Sequence, residues 1–351
     1  MQKNFKYYLG NSINTRIGYS NNEKIRKDCA SGGIVTSILI YLLESKQIDG
    51  AFVTKTQITN NGLEAIKYIA KTREEILESR TSIYFDTQFF KHIETIKNFK
   101  GKLAIVGLPC EIKYLRERQK WDENFKNIQV TIGLFCGHAS KKELIETVLK
   151  QKNIKTADIK KITFRKGHWR GQTHIELNNG KEITFPFSHF SLYQNLFFLS
   201  ENKCLYCNDH TSEMADISCG DIWDLKFKKT PIKHSAIITR TENGEKFIEN
   251  MLKLNIISSF NVSEKKIYKA QKRSLLYHKH IKARSIVGKL FGFKIPYSKK
   301  EISRPWDYIA AFIVLINHRI SESKFGKKFI FKIPKPILKI YLYIFKGLTS
   351  F

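Results

Sequence analysis

No apolar run in this chain approaches the roughly 18 residues that suggest a membrane-spanning helix. The longest uncharged one is Tyr308 to Asn317. The opening MQKNFKYYLG lacks an apolar core followed by small residues, so no secretory signal is expected and a reducing cytoplasm is the default compartment. No internal repeat or low-complexity linker is evident. Acidic residues are scarce, with 32 Asp and Glu against 61 Lys and Arg, a net charge of +29. Such a balance points to polyanions, whether nucleic acid, an anionic membrane or phosphorylated substrates. Richness in Lys, Ile and Asn also accompanies AT-biased coding, so part of the excess is compositional. Cysteine is sparse too, at six residues.

At 351 residues the chain can bury a sizeable core. Its first half alternates helix and strand. SGGIVTSILIYLLES (31–45) has helical spacing, AFVTK (51–55) and GLEAIKYIAK (62–71) read as strands, and KTREEILESR begins a helix. TQFFKHIETIKNFK is expected to be helical, running into the apolar strand GKLAIVG (101–107). The helix EIKYLRERQK, the strand VTIGLFCG (130–137) and the helix SKKELIETVLKQK, with Ser140 as its predicted cap, follow. Then ITFRKGHW and THIELNNGKEITFPF read as antiparallel strands with an NNG turn, and AIITRTENGEKFIENML as strand–turn–helix. The predicted fold is α/β: a mixed, partly parallel sheet core with an antiparallel portion, plus a C-terminal helical basic extension. We divide the chain into a core over 1–262, with segments of about 25–105 and 106–262, and a basic amphipathic tail over 263–351. From Asn261 to Phe351 there are 21 Lys and Arg against 4 Asp and Glu, so +17 of the +29 lies there. PWDYIAAFIVLINHRI puts Trp306, Ile309, Phe312, Ile313, Ile316 and Ile320 on one side of a helix. Lysines interleaved with large apolar residues match an in-plane membrane anchor. An amphipathic helix packed on the core with a solvated lysine face is the plainer alternative. Nucleic acid is disfavoured, because no reading module is recognisable.

The cysteines carry the chemistry. Cys204 and Cys207 form CLYC; Cys110 in GLPC and Cys136 in GLFC each follow an apolar strand. Two matching strand–loop–helix placements put both thiols on the carboxyl edge of one sheet, where open α/β folds bind ligands. Lone cysteines are often small buried hydrophobes, but two matched placements plus a CxxC indicate a shared inorganic site. Spacing alone leaves a 4Fe-4S cluster and zinc both open. A redox disulfide in CLYC is weaker, since CNDHTSEMAD reads as an irregular loop.

CASGGIVTSILIYLLESKQIDGAFV, GLPCEIKYLRE, GLFCGH and KCLYCNDHTSEMADISCGDIW, in this order, resemble the coenzyme F420 hydrogenase/dehydrogenase beta-subunit family. The 7-hydroxymethyl chlorophyll a reductase is similarly related. The resemblance covers roughly residues 15–260. It implies an iron–sulfur flavoprotein oxidoreductase holding FAD and one 4Fe-4S cluster, with coenzyme F420 or another organic molecule as two-electron partner. It further implies an electron donor such as ferredoxin or a reduced deazaflavin. Family members occur also in polysaccharide synthesis, and a lipid-linked glycan substrate would suit a membrane-facing tail. The resemblance assigns Cys110, Cys136, Cys204 and Cys207 as cluster ligands and holds Cys219 in reserve. Ser31, Gly32 and Gly33 open a helix whose amides would seat FAD phosphate, with Thr36 one turn on. Asp216, Gly220 and Asp221 would line the flavin–cluster junction. Arg165, Lys166 and Trp169 would contact flavin or substrate phosphate. His138 and His168 are noted as proton donors; no catalytic residue is assigned. The ferredoxin-like CxxCxxCxxxCP run of longer relatives does not occur in this sequence, which leaves ligands for one cluster. Two other readings stay open: a relay subunit without chemistry of its own, and a zinc-stabilised polyanion-binding protein.

Overall fold

Short apolar runs bounded by turns form the strands, as the alternation predicts. The computed structural model describes residues 5–298, 301 and 303–350. Its strands are β1 (Asn14–Ser20), β2 (Gly50–Thr59), β3 (Gly62–Ala70), β4 (Leu103–Gly107), β5 (Ile128–Leu134), β6 (Ile159–Lys166), β7 (Gln172–Leu177), β8 (Glu182–Pro186), β9 (Ile217–Asp221), β10 (Ser235–Thr239) and β11 (Ile257–Asn261). Eight make one sheet in the order β11-β1-β10-β9-β5-β4-β2-β3, and β6-β7-β8 make a second. The middle of the large sheet, β2-β4-β5-β9, is parallel, and its remaining pairings are antiparallel. The α/β architecture with a mixed sheet and a helical C-terminal region is therefore as expected.

The parallel strands are covered on both faces, which explains their unbroken apolar runs. Along β4, Leu103 and Ile105 join one core with Phe52, Ile112, Leu115 and Phe125. Ala104 and Val106 point the other way, toward Ile34, Ile38 and Leu42 of the helix Ile34–Glu44. Each fully buried Leu, Ile or Phe among them contributes roughly 1.5–3 kcal/mol.

A third core lies beneath β6–β8 and is shared with the C-terminal helices. Phe164, Ile175 and Phe190 pack there with Ala311, Val314 and Leu315 of helix Pro305–Glu322. Ile330 of helix Lys324–Lys332 joins them, as do Leu338, Leu342 and Phe345 of helix Lys335–Ser350. The basic extension thus buries one apolar face. The stripe predicted to be apolar on Pro305–Glu322 is a different one: Trp306, Ile309, Phe312 and Ile320 are exposed. Both faces of that helix are apolar. Among the described residues, no helix is long and apolar enough to cross a membrane.

Three local expectations need correction. TQFFKHIETIKNFK forms only a 3-10 turn, Phe89–His92, preceded by Gln88 at a left-handed φ of 46°, and a short helix, Ile93–Lys97, because His92, at φ −110° and ψ 9°, leaves the helical path between them. β5 ends at Leu134 rather than reaching 137. Ser140 is not the cap of helix Lys142–Lys150. Lys141 holds that position, while Ser140 is drawn into bridges with Phe85 and Ser200.

Candidate iron–sulfur and flavin site

Parallel pairing of β4 with β5, and of β5 with β9, brings three carboxyl ends together. After β4 the chain turns through extended Leu108 into Pro109, whose fixed φ opens the helix Pro109–Gln119. Cys110 is the next residue and is exposed. Glu111 reaches back to accept from the Leu108 amide at 2.9 Å, which holds this first turn. After β5 the chain leaves the sheet: the Phe135 amide donates to Cys219 O and that of Cys136 to His210 O.

CLYC forms the short helix Asn202–Leu205 and the turn after it. Cys204 Sγ accepts from the Ala139 amide at 3.3 Å, tying this turn to the Cys136 loop. The irregular loop that follows is organised by Asp209, whose carboxylate accepts from the amides of Thr211, Ser212 and Glu213.

Burial pushes the Cys136 thiol well above its usual pKa, and Cys204, Cys110 and Cys207 push it further. Cys110, although exposed as a residue, is raised in the same direction by the desolvation at this sheet edge, with Glu111, Cys207 and Cys204 adding to it. The four sulfurs therefore share one electrostatic neighbourhood. Four thiolates can coexist there only if positive charge neutralises them, so the donor set fits a polycationic cluster. Among the described residues, no three His, Cys, Asp or Glu side chains are gathered tightly enough for a single metal ion. Cys219 is raised to about 12 by burial alone, without influence from the four, and Cys29 is buried beside Thr36.

The carbonyls of the CLYC turn are gripped from the C-terminal extension. Buried Arg284 donates to Leu205 O at 3.1 Å and Cys207 O at 2.7 Å, and also to Tyr277 O. His278 has ring nitrogens 3.2 Å from Cys207 O and 2.8 Å from Gly137 O. Two acceptors would suit a charged ring, but burial, with help from His210 and Arg284, holds its pKa well below 6.5. His210 bridges Cys136 O and Gln271 Oε1, each at 3.0 Å. No spacing in the sequence announces these partners.

Beside the thiols opens a cavity of about 780 Å³, within the range of ligand pockets. Ser31, Gly33, Thr36, Cys136, Arg165, Gly220 and Asp221 line it. The start of helix Ile34–Glu44 faces the cavity through Gly33, at φ 80°, and Ile34 to Thr36. Gly32 does not line it: its amide is spent on Ser235 Oγ at 2.9 Å, and a Cβ there would meet Gly18 O at 2.7 Å. Gly32 thus allows close approach of β1 and β10, not of a ligand.

Arg165 and Asp221 pair at 2.5 Å, with the Tyr84 hydroxyl 3.4 Å from the same guanidinium nitrogen. Arg165 also donates to the carbonyls of Trp169 and Arg170, fixing the β6–β7 loop. Its guanidinium lies 5.1 Å from the Trp223 ring centre. Trp169 packs edge-on against Trp223 beside a small adjoining pocket, and Lys166 reaches neither space. Asp216 sits at the opposite end of β9, where Arg116, Thr131 and Thr241 saturate its carboxylate; it does not line the cavity. At Gly220 the side a Cβ would occupy is filled by Phe135, 2.2 Å away. Two buried lining residues, Lys67 and Glu111, pair at 3.0 Å and were not anticipated. His138 stacks on Phe197, and burial lowers its pKa to about 4. Its Nε2 is buried without a protein partner, an orphan that a bound polar group would satisfy. His168 instead lies at the surface, its Nε2 2.7 Å from Lys228 O.

The family model for the N-terminal part of the coenzyme F420 hydrogenase/dehydrogenase beta subunit matches residues 16–94, and the model for its C terminus matches 100–265. A coenzyme F420 hydrogenase subunit beta of Methanococcus voltae is 26% identical over 296 residues, covering 82% of this chain and 99% of that protein. The coenzyme F420-dependent sulfite reductase of Methanocaldococcus jannaschii is 28% identical over 238 residues. That alignment covers 64% of this chain and 34% of the reductase, so the chain spans about a third of it. An F420-dependent formate dehydrogenase subunit beta of the same organism is 27% identical over 253 residues, covering 70% of this chain and 61% of that protein. A chain of the F420-reducing NiFe hydrogenase complex of Methanosarcina barkeri shares the fold. Its TM-score is 0.62 at 21% identity, over 84% of this chain and 98% of that one. With both halves of its core matched in order, the chain belongs to the coenzyme F420 hydrogenase/dehydrogenase beta-subunit family of oxidoreductase subunits.

Proposed function

We propose that the protein is an iron–sulfur flavoprotein subunit that passes electrons between one 4Fe-4S cluster, FAD and a two-electron organic partner, of which coenzyme F420 is one candidate. The observation that carries this reading is that Cys110, Cys136, Cys204 and Cys207 share one electrostatic neighbourhood, with Cys136 lining a ligand-sized cavity at the carboxyl ends of parallel strands. Cys110, Cys136, Cys204 and Cys207 would hold the cluster. The first turn of helix Ile34–Glu44, with Ser31 and Thr36, would face the FAD phosphates, and Arg165, Asp221 and Trp223 would flank the flavin. Bound together, the two groups would interconvert one-electron and two-electron transfer. Arg165, Asp221 and Trp223 would orient the flavin in the cavity they line. The single electrons would be exchanged with a separate donor such as ferredoxin.

The test is an absorption spectrum of protein purified without oxygen, with iron, sulfide, zinc and flavin assayed on the same sample. Flavin bands with about four irons per chain, as a single cubane requires, are expected. Zinc without flavin overturns the reading.

We also propose that the C-terminal helices rest on an anionic membrane. Phe325 is 81% and Tyr343 70% exposed, and they stand among Lys324, Lys328, Lys332 and Lys339. Apolar residues for the headgroup region beside cations for anionic lipid are what in-plane contact requires. Co-sedimentation with phosphatidylglycerol vesicles but not phosphatidylcholine vesicles is expected, and equal or absent binding to both refutes it.

A further inference from the structure

Outside the cavity, cations gather around two stacked rings: Phe185 on β8 and His189 on helix Ser188–Asn195, 5.6 Å between centres. Lys152, just past helix Lys142–Lys150, sets its ammonium 4.4 Å from the Phe185 ring centre. Lys335 opens helix Lys335–Ser350 and places Nζ 3.3 Å from His189 Nδ1. Lys339 follows one turn later. Among the described residues, none of these three lysines pairs with a carboxylate. Burial lowers the pKa of His189 to about 4, and the neighbouring charges that add to it are Lys335, Lys152 and Lys339, all cations. Lys152 is lowered too, by burial and then by Lys335. An ammonium only donates, so His189 Nδ1 accepts from Lys335 and the neutral ring carries its proton on Nε2. The side chains of this group therefore offer donors and positive charge. The helix adds to both, because its first turn holds no acid and its leading amides lack helical acceptors.

The same helix indicates what an anion here would be attached to. Ile337, Ile340 and Ile344 recur at helical spacing and are exposed, as is Tyr343. Lys335 and Lys339, four residues apart, run along the edge of that apolar face. A soluble anion would need the cations alone. Cations bordering an exposed apolar face suit a lipid, its phosphate on the lysines and its chains beneath the isoleucines. We infer that Lys152, His189, Lys335 and Lys339 bind the phosphate headgroup of a membrane lipid, with a dianionic phosphomonoester preferred over a singly charged diester. This rests on the membrane reading above, which supplies the lipid. Lys335 and Lys339 lie beyond the family match that ends at residue 265, so half of the site comes from the C-terminal extension.

The experiment sediments the full chain, purified without oxygen, with phosphatidylcholine vesicles carrying either phosphatidate or phosphatidylglycerol, the two matched in surface charge. Glycerol 3-phosphate is titrated calorimetrically as the soluble probe. Binding to the phosphatidate vesicles is expected to be about tenfold tighter. Lys152→Gln, Lys335→Gln and Lys339→Gln should each narrow that preference by about fivefold. Lys328→Gln, on the neighbouring helix, should weaken binding to both vesicles alike and keep the preference. Lys335 and Lys339 are exposed, so their variants read the site even if Lys152→Gln fails to fold. Equal binding to the two vesicles, or a preference that survives all three substitutions, overturns the inference and leaves the membrane reading standing. Absence of binding to both vesicles overturns the two together. Glycerol 3-phosphate bound through Lys335 in that case would assign the site to a free phosphate instead.

Discussion

Arg284, 2% exposed, donates its guanidinium to the carbonyl of Cys207 at 2.7 Å across 77 residues of sequence. The CLYC turn is thus held by a side chain outside the family match. A cation beside its carbonyls also offsets the charge of ionised sulfur nearby. We expect Arg284→Met to lose iron and to destabilise the fold by about 3–5 kcal/mol, as removal of a buried, fully bonded cation does. Arg284→Lys should recover little, because one ammonium cannot reproduce a fork that spans several carbonyls. Iron per chain and urea unfolding report both effects.

The six cysteines divide by electrostatic neighbourhood. Replacing Cys110, Cys136, Cys204 or Cys207 by Ser is expected to remove most of the cluster absorbance. Cys219→Ala and Cys29→Ala should keep it, because neither thiol is coupled to the other four. Both are buried, so the cost is confined to packing, about 1 kcal/mol or somewhat more. Loss of iron in Cys219→Ala would make it a ligand.

Asp307 links two helices of the extension. Its carboxylate lies 2.6 Å from His280 Nδ1 and accepts from the backbone and side chain of Arg304. Burial acts to raise its pKa, but these hydrogen bonds outweigh it and hold the carboxyl well below the usual range. The sign follows. Stability from this group is fully present above the unfolded value, about 3.9, and is lost as pH falls below it. Asp307→Asn should lower stability at neutral pH by about 1–3 kcal/mol and flatten the acid limb of the unfolding curve. An unchanged acid limb would show that Asp307 contributes nothing to it.

A fourth expectation concerns the buried pair that ties β1 to helix Glu242–Lys253. Arg16 makes two contacts with Glu245, at 2.8 and 2.5 Å, and the same carboxylate also accepts from Thr239. Glu245→Gln leaves the Arg16 charge buried and should cost about 3–5 kcal/mol. Cofactor content per folded chain should not change, since the pair does not line the cavity. Chemical unfolding with flavin and iron assays separates the two.

Much of this protein is decided locally and so could be read from the sequence. Apolar runs such as LAIVG are buried on two faces whatever their neighbours, and a cysteine just past each of two such runs reaches one sheet edge once those strands pair in parallel. Capping and turn residues act within a few positions, which is why Ile34–Glu44, the NNG hairpin and the loop after CLYC came out as expected. Where a local signal met a tertiary demand, the tertiary one prevailed: Ser140 was taken from its cap into a bridge, and Gly32 was spent on strand packing. Only the tertiary structure decided that the basic extension holds the CLYC turn and supplies a cavity wall. Lys67 with Glu111, Arg165 with Asp221 and Arg284 with Cys207 are separated by 44, 56 and 77 residues. Such pairings are set by the burial of whole helices and strands, and a local pattern has no means of recording them.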